Sequence, residues 1–390
     1  MRNIIAVIFI AFLMAGCFQK QVVQLKMPNQ NVHQHAEDKK TVVEEFISND
    51  TIIQEEIINN NGTSNEYVED SDTTFAVVDE KFEFDSTKAN IKLAFVYPSS
   101  LVSKYAKNSI NTVAGYFSFL KANYDLVVID TVNETPDSIN KAFDEIKSKN
   151  ITKVIALFTP NSTATLGKLY LDDIYVYLPL IEKKELLEEN NNLIFGSISY
   201  EEQLKKLSYY SNGANVLFHQ SSYLGNKLKN SYELVVDNTI ARKEIKKDEI
   251  NFRSLVVDSR LRNSSVFLNV DIVKSSLILS QLRANDIYPY MIFSTQINFD
   301  PVLMTLTQDK DREKLLLANS IEEVNAKLKD EVLSFGGNII YEWVDYSTLV
   351  GANYLINGNN SLIPTKIVDN QAVFNTRLFK STDYGFVEIK

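Results

Sequence analysis

Side chains with catalytic chemistry are scarce in this chain of 390 residues. It contains three histidines, His33, His35 and His219, and a single cysteine, Cys17. A serine or cysteine nucleophile needs a neighbouring base, most often histidine, to take its proton. The segment Gly196-Ser197-Ile198-Ser199 lacks the second glycine of a nucleophile elbow. We therefore expect no catalytic residue and no enzymatic activity.

Motifs for metals and phosphates are also missing from the sequence. There is no His-Glu-x-x-His motif, no pair of cysteines and no aspartate-rich calcium loop. Gly336-Gly337 stands alone, and we assign it to the end of a helix predicted over Val324–Leu333. A carboxylate pair for hydrolysis stays open, because acidic residues are abundant and the sequence does not select two of them. We expect no metal and no cofactor.

The one thiol follows a short apolar segment at the N-terminus. Ile4–Ala15 is apolar over about a dozen residues, which suits a signal-peptide core of about 7–15 residues better than a spanning helix of roughly 20. Leu13-Met14-Ala15-Gly16-Cys17 resembles the lipobox read by the lipoprotein signal peptidase, with Met14 where leucine is usual. The resemblance implies a signal peptide over 1–16 and lipidation of Cys17. A chance cysteine after an ordinary signal peptide is the alternative.

Cys17 also limits the fold and the location. Because it is the only cysteine, no disulfide forms within the chain, and the fold depends on its hydrophobic core. Phe18 follows it where enteric-type lipoproteins of the inner membrane have aspartate. The resemblance therefore implies a lipid anchor, with acyl chains such as palmitate, on the periplasmic side of the outer membrane. The inner membrane or a Gram-positive cell surface is the alternative.

Residues 17–88 are polar and acidic. Between Glu37 and Asp85, roughly 15 acidic residues stand against three lysines. Low hydrophobicity with high net charge does not bury enough surface to offset the chain entropy. We predict a disordered linker, whose coil of about 70 residues would span roughly 45–50 Å. Such a tether would hold a folded domain away from its membrane.

From residue 89 to 390, apolar segments alternate with amphipathic ones. The first run predicts strands over Ile91–Tyr97, Leu126–Ile129, Val154–Phe158 and Ile174–Leu178, with helices over Leu101–Leu120 and Pro136–Lys149. Near-continuous apolar strands between helices are typical of a parallel sheet covered on both faces. Ser99 or Ser100 is expected to cap the first helix.

The alternation restarts after a polar break at residues 182–192. The second run predicts strands over Leu193–Ile198, Val216–Phe218, Ser265–Val270 and Tyr288–Phe293, with helices over Glu201–Tyr210 and Ile272–Ala284. Two runs separated by a polar break indicate two α/β lobes. Near the C-terminus, Ile363–Val368 and Val373–Phe379 flank Asp369-Asn370-Gln371 and predict a β-hairpin.

Polar side chains stand where several predicted strands end. In open parallel sheets, ligands bind outside the carboxyl ends of the strands. We therefore expect a ligand cleft between the lobes, lined by Ser99, Ser100, Thr159, Asn161, Ser162, His219, Ser221 and Ser222. These groups include no evident charged clamp, which favours a neutral ligand or none. Capping of helices and turns is the alternative role for each serine and asparagine, and a structural role is the alternative for His219.

The pattern as a whole resembles a known fold. The strand Ile91–Tyr97 with Pro98-Ser99-Ser100 after it, the two lobes and the closing hairpin are similar to the type I periplasmic-binding-protein fold. With its lipobox, the chain resembles the branched-chain amino-acid receptor type and the outer-membrane lipoprotein activators of penicillin-binding proteins. Its Asn-, Ile- and Lys-rich composition resembles lipoproteins of the Campylobacter–Helicobacter group. The resemblance covers about residues 90–390.

These resemblances imply two functions. The leading expectation is a non-enzymatic envelope lipoprotein that binds or positions a protein partner, as a regulator of peptidoglycan synthesis or a scaffold of an envelope machine. The alternative is a receptor for a small, amino-acid-like solute that serves a transporter or sensor. Nucleic acid is not an expected partner, because the net charge is −10 and no basic patch interleaved with aromatics occurs.

Overall fold

Residues 90–389 are described by a computed structural model. The predicted signal peptide over 1–16, Cys17 and the predicted linker over 17–88 lie outside the described residues. The described chain forms two α/β lobes, each built on a sheet of seven mostly parallel strands. Within residues 90–389, none of the helices combines the length and apolar character needed to cross a membrane.

The first lobe begins with alternating strands and helices. They are β1 (Ile91–Tyr97), α1 (Ser99–Phe119), β2 (Tyr124–Asp130), α2 (Pro136–Ser148), β3 (Lys153–Ala156), α3 (Thr163–Leu166), β4 (Tyr175–Leu178) and β5 (Leu193–Phe195). Short 3-10 helices cover Pro160–Ser162 and Lys183–Glu185.

The second lobe repeats the pattern. Its elements are α4 (Tyr200–Ser208), β6 (Asn215–Gln220), α5 (Tyr223–Val235), β7 (Thr239–Ile245), α6 (Phe252–Val256), β8 (Ser265–Asn269), α7 (Ile272–Ala284), β9 (Met291–Ser294), α8 (Val302–Leu306) and β10 (Leu315–Asn319). Its 3-10 helices cover Ser259–Leu261, Gln296–Asn298 and Asp309–Asp311.

The chain then returns to the first lobe and ends in the second. The returning elements are α9 (Ala326–Ser334), α10 (Trp343–Asn357), β11 (Lys366–Val368) and β12 (Gln371–Val373). The last strands, β13 (Arg377–Thr382) and β14 (Gly385–Glu388), lie at the edge of the second sheet.

In each sheet, strands that follow one another in the chain are added on both sides of the first strand, so the direction of strand order reverses within the sheet. The strand orders are β11-β12-β5-β4-β3-β1-β2 and β14-β13-β10-β9-β8-β6-β7. In the first lobe, α1 after β1 and α3 after β3 pack on opposite faces of the sheet. In the second lobe, α5 after β6 and α7 after β8 also pack on opposite faces. Each sheet therefore has a topological switch point, where α/β proteins bind ligands.

Local sequence explains why α2 begins and lies where it does. Thr135 accepts a hydrogen bond from Ser138 N, and Pro136 occupies the first helical position, where a missing N–H costs nothing. Ile139, Phe143 and Ile146 then fall on one buried face. That stripe packs on the sheet with strand residues in a core cluster.

The N-cap predicted for α1 is wrong. Pro98, not Ser99 or Ser100, is the N-cap of this helix, and its side chain makes no capping bond. Asp130 at the end of β2 accepts from Ser99 N at 3.1 Å instead. A carboxylate is favoured at a helix N-terminus, where backbone N–H groups point outward.

Two predicted boundaries also differ from the structure. β5 belongs to the first sheet, so the chain passes between lobes inside α4 and not at residues 182–192. Tyr200 packs in the first-lobe core, whereas Leu204 and Leu207 pack in the second.

The predicted hairpin exists as β11–β12, but its second strand ends at Val373. Of the remaining predicted strand, residues 374–376 lie outside the sheets and residues 377–379 begin β13 in the other sheet, because the chain crosses between lobes there.

Candidate functional site

The two switch points define the candidate site, which we call the interlobe cleft. On the first lobe it is bounded by Ser99 after β1 and Thr159 after β3. On the second lobe it is bounded by Ser221 after β6 and Asp271 after β8. Lys227 on α5 and Glu185 in the first lobe form an ion pair at 3.1 Å. The two sides of the cleft therefore approach to within contact.

The candidate residues of the first lobe lie at strand ends, with different exposures. Ser99 is half-buried and Ser100 exposed in the first turn of α1. Thr159 is half-buried and caps the 3-10 helix over Pro160–Ser162. Asn161 is exposed, whereas Ser162 is 1% exposed and donates from Oγ to the carbonyl of Thr159 at 2.7 Å. The Ser162 hydroxyl is thus engaged in a hydrogen bond within its own turn.

The candidates of the second lobe surround the N-terminus of α5. Ser221 is exposed, and Ser222 caps α5 by accepting from Gly225 N at 3.1 Å. A side chain at Gly225 would lie 2.0 Å from the carbonyl oxygen of Gln220, so only glycine lets the helix approach β6 this closely. The cap and the glycine fix where Tyr223, the first residue of α5, projects.

His219 is covered by α5. It lies within β6, is 6% exposed, and its Nδ1 has no partner among the described residues. Burial lowers the pKa of His219 and the charge of Lys229 on α5 lowers it further, while Glu244 and Glu233 partly oppose the shift. Asn269 stands opposite it on β8, with a buried Oδ1 that also lacks a partner. Two such atoms side by side form a polar layer between sheet and helix.

Glu134 is a candidate site residue that was not among the residues predicted to line the cleft. Its carboxylate accepts hydrogen bonds from Thr159 N and from Thr159 Oγ1, the latter at 2.6 Å. Burial raises the pKa of Glu134, while these two bonds oppose the rise. Thr159 therefore has a charged partner, and the expectation of an uncharged cleft does not describe this position.

Tyr223 is the aromatic residue at the start of α5 in the second lobe. Burial raises the pKa of Tyr223, and the negative charges of Glu185 and Glu134 raise it further. Tyr223 is nevertheless 55% exposed, so a part of its ring faces solvent.

Apolar side chains of the second lobe close the base of the cleft. Leu228 on α5 is 1% exposed and belongs to the main core cluster of the first lobe. Leu224 and Ile297 are partly buried against the same cluster. The lobes are therefore in apolar contact through these three side chains.

A second group of aromatic and acidic side chains lies where α4 and α10 begin. Tyr200 and Trp343 pack edge to face, with ring centroids 6.4 Å apart at 85°. The Tyr200 hydroxyl is buried. Burial raises the pKa of Tyr200, the nearby charges of Glu182 and Glu342 add to the rise, and a hydrogen bond with the Trp343 side chain opposes it. Glu182 and Glu342 are themselves half-buried.

A buried polar network ties together the three segments that pass between lobes. Gln203 Nε2 donates to Ser320 Oγ at 2.8 Å, and Ser320 Oγ bonds Thr376 Oγ1 at 3.1 Å. Gln296 accepts from Ser320 N and donates to Asn319 Oδ1, both at 2.7 Å. All five side chains are at most 4% exposed. This crossing network sets the relative position of the lobes, and hence of the two sides of the cleft.

Two surface depressions lie away from the candidate residues. One of about 650 Å³ is bordered by Lys184, Ser199 and Gln371, and the other, of about 510 Å³, by Arg283 and Gln308. Neither is lined by any of the eight predicted cleft residues. Across residues 90–389, no three His, Cys, Asp or Glu side chains are grouped as ligands for a metal ion.

Comparisons with known proteins identify the fold. No protein-family model and no curated protein matches the chain. A branched-chain amino-acid ABC transporter protein from Thermus thermophilus with bound valine matches at TM-score 0.59 and 14% identity, over 78% of this chain and 96% of its own. The LivJ substrate-binding protein from Streptococcus pneumoniae with isoleucine matches at 0.54 and 11%, over 77% and 100%.

A third structure extends the range of ligands among the similar proteins. A solute-binding protein from R. palustris in complex with 4-hydroxybenzoate matches at TM-score 0.56 and 9% identity, over 77% of this chain and 96% of its own. At these identities the likeness concerns the fold. The predicted fold class is confirmed: residues 90–389 form a two-lobed α/β fold of the type I periplasmic-binding-protein kind.

Proposed function

We propose that this protein is a non-enzymatic solute receptor of the cell envelope, whose interlobe cleft binds a small molecule. The observation that carries the proposal is the opposition of the two switch points, with Thr159 after β3 on one side, Ser221 after β6 on the other, and the ion pair of Glu185 with Lys227 joining the two lobes. Open α/β sheets bind ligands at this position. The similar structures hold amino acids or 4-hydroxybenzoate, which supports the receptor over a partner-binding scaffold as the first candidate.

Solute binding is tested by thermal unfolding of the purified full-length chain with amino acids, amines and aromatic acids. One solute is expected to raise the melting temperature saturably by several degrees, since a ligand that binds only the folded state stabilises it. Tyr223→Ala should weaken that binding about tenfold, because it removes a ring that faces the cleft. Tyr384→Ala, on a fully exposed side chain between β13 and β14, is the matched control and should bind normally.

The second candidate is a module that positions an envelope protein. The specific observation in its favour is Leu228, which is buried in the core of the first lobe and fills the base of the cleft. If no solute stabilises the full-length chain, and cross-linking in intact cells joins it reproducibly to one envelope protein, this candidate replaces the receptor. A saturable solute that also requires Tyr223 would reject it.

Lipid anchoring through Cys17 belongs to the same proposal, with the acyl chains in the outer membrane and the folded lobes in the periplasm. We expect Cys17→Ser to abolish acylation and to move the protein from the membrane fraction to the soluble periplasmic fraction, because acyl chains hold a protein by about 0.8 kcal/mol per buried methylene. Fractionation and mass spectrometry check this outcome. Ser99→Ala, which leaves the lipobox intact, should remain membrane-bound. An unchanged distribution of the Cys17 variant would reject the anchor.

A further inference from the structure

One outer edge of the first sheet is formed by β2, because β1 is its only neighbour among the strands of the described chain. Ile91 N donates to Asn123 O and Thr131 N donates to Tyr97 O, both at 2.9 Å, which fixes the ladder at its two ends. In a parallel ladder, alternate residues of a strand face the same neighbour. The odd-numbered residues of β2 therefore bond to β1. The even-numbered residues turn their N–H and C=O groups outward, and they are Tyr124, Leu126, Val128 and Asp130.

The β2 edge lacks the protection that the other sheet edges have. Natural edge strands avoid pairing through shortness, charged side chains, proline or bulges. β7 carries Arg242, Lys243 and Glu244, and its register with β6 shifts near its start. β11 and β14 are only 3 and 4 residues long. By contrast, β2 keeps unbroken register with β1 over 7 residues, and Leu126–Ile129 contains neither a charge nor a proline. Such an edge is a template for another strand.

The β2 edge is complementary to a second copy of itself. Two copies related by a two-fold axis normal to the sheet would pair their β2 strands antiparallel. In the register centred on Val127, every outward residue meets an outward residue. Leu126 then lies opposite Val128 of the second copy. Tyr124 lies opposite Asp130 of the second copy. Facing residues of this kind exchange two hydrogen bonds in an antiparallel pair.

The polar side chains at the ends of β2 suit the same register. The Tyr124 ring packs against Phe117 of α1, with ring centroids 4.7 Å apart. Asp130 accepts from Ser99 N at the start of α1, so both side chains lie on the α1 face of the sheet. A phenol hydroxyl of one copy would therefore stand across the seam from a carboxylate of the other, as donor and acceptor.

Neighbouring registers are poorer in charge complementarity. A register centred on Val128 would set the Asp130 carboxylate opposite Leu126, and one centred on Leu126 would set it opposite Ala122. In the register centred on Val127, Asp125 meets Ile129, so no like charges face each other. One register therefore satisfies both the outward backbone groups and the charges.

We propose that the β2 edge is a dimerisation surface, at which two copies of this chain join their first sheets into one continuous sheet. Tyr124 and Val128, which are half-buried in one chain, would lose further exposure at the seam. The inference goes beyond the receptor function, because it concerns the side edge of a sheet and not the strand ends that border the interlobe cleft.

Sedimentation of the full-length chain carrying Cys17→Ser tests the dimer without any contribution from acyl chains. A dimer whose fraction rises with concentration is expected. Val128→Pro removes an outward N–H and leaves the bonds to β1 in place, so it should weaken dimerisation about tenfold or more. Glu244→Pro is the matched control on β7, where Ile245 O accepts from Ser221 N of the neighbouring segment and Glu244 therefore faces outward. It should leave the dimer unchanged.

Two results would overturn the proposal. The first is a chain that stays monomeric at about 100 μM. If its melting temperature also falls with Val128→Pro, the chain itself covers the edge. The second is a dimer that persists in a folded Val128→Pro variant, which would place the dimer contact on another surface.

Cross-linking tests the register directly, because Cys17→Ser leaves the chain without cysteine. Val127→Cys would set the thiols of two copies opposite each other in a non-hydrogen-bonded pair, where a Cα separation of about 4.5 Å suits a disulfide. Mild oxidation should give a disulfide-linked dimer. Ala241→Cys on β7 is the control, since Ala241 is 5% exposed and Val127 is 7% exposed. Equal cross-linking of both variants would reject the assignment. This readout keeps the test valid if Val128→Pro does not fold.

Discussion

Replacing Asp345 by asparagine is expected to stabilise the protein at pH 8 by roughly 2–4 kcal/mol. Asp345 lies in the first turn of α10 and is only 2% exposed. Its two carboxylate oxygens accept from Ser109 Oγ at 3.0 Å and from Asn338 N at 2.9 Å. Among residues 90–389 it has no ion-pair partner, and burial raises its pKa to about 7 despite those bonds. The folded chain therefore favours the protonated acid.

The direction of the pH effect follows from that shift. The ordinary pKa of the group is 3.8, so below this value the acid is protonated whether the chain is folded or not. As the pH rises towards 7, the unfolded chain ionises first, and the contribution of Asp345 to stability is lost. At about 1.4 kcal/mol per pKa unit, the loss is about 4 kcal/mol and is complete above pH 7.

Asparagine avoids this loss while keeping both hydrogen bonds. Its carbonyl oxygen can accept from Asn338 N, and its amide can donate to Ser109 Oγ, since a hydroxyl both donates and accepts. Urea unfolding at pH 4.5 and pH 8 measures the effect, with Asp330→Asn on the exposed side of α9 as the matched control. The native chain should lose more stability between these pH values than Asp345→Asn does. Equal losses would show that Asp345 is ionised at both.

The alternation of strands and helices was predictable because each element has a simple periodicity. α7 was predicted over Ile272–Ala284 and has those bounds, since Asp271 caps it and its buried positions recur at helical spacing. β1 also has its predicted bounds, because a strand covered on both faces is a continuous apolar run. In such segments local sequence and tertiary structure agree.

Other elements lacked a readable pattern. α10 was not predicted, because it is buried on nearly all sides and has no polar face to mark a helical period. β7 was also missed, since it is an edge strand that carries Arg242, Lys243 and Glu244. The passage between lobes inside α4 left no break in composition, whereas the polar segment at 182–192 is a loop within one lobe.

The candidate site was predictable only as far as topology dictates it. Strand ends in a parallel sheet meet at one edge, so Ser99 and Thr159 could be placed there from the alternation alone. Glu134 could not, because it precedes Thr159 by 25 residues and the two meet only through the fold. In the sequence, nothing distinguishes Glu134 after β2 from the many exposed acidic residues of the chain. The charge of the cleft is therefore a property of the tertiary structure.

Truncating Gln296 to alanine is expected to destabilise the protein by about 3 kcal/mol. The side chain is 2% exposed and accepts from Ser320 N while donating to Asn319 Oδ1. Its loss leaves Ser320 N buried without an acceptor, at about 1–3 kcal/mol, and removes one of the two hydrogen bonds to Asn319 Oδ1, at about 1 kcal/mol, since Ile321 N still donates to that oxygen. Gln281→Ala, at a half-buried position on α7, removes a similar side chain from outside the network and should cost about 1 kcal/mol or less.

A double-mutant cycle shows whether the crossing network acts as one unit. Gln203 lies on the first passage between lobes, and Gln296 and Ser320 link it to the second. Gln203 Nε2 also donates to Gln296 Oε1 at 3.5 Å, a bond that both Gln203→Ala and Gln296→Ala remove. If the network is continuous, their effects on the free energy of unfolding should therefore fall short of additivity by about 1 kcal/mol or more. Additive effects would mean that the passages are held separately. A rigid joint between lobes keeps Ser221 opposite Thr159, so a continuous network would fix the geometry in which the cleft selects its solute.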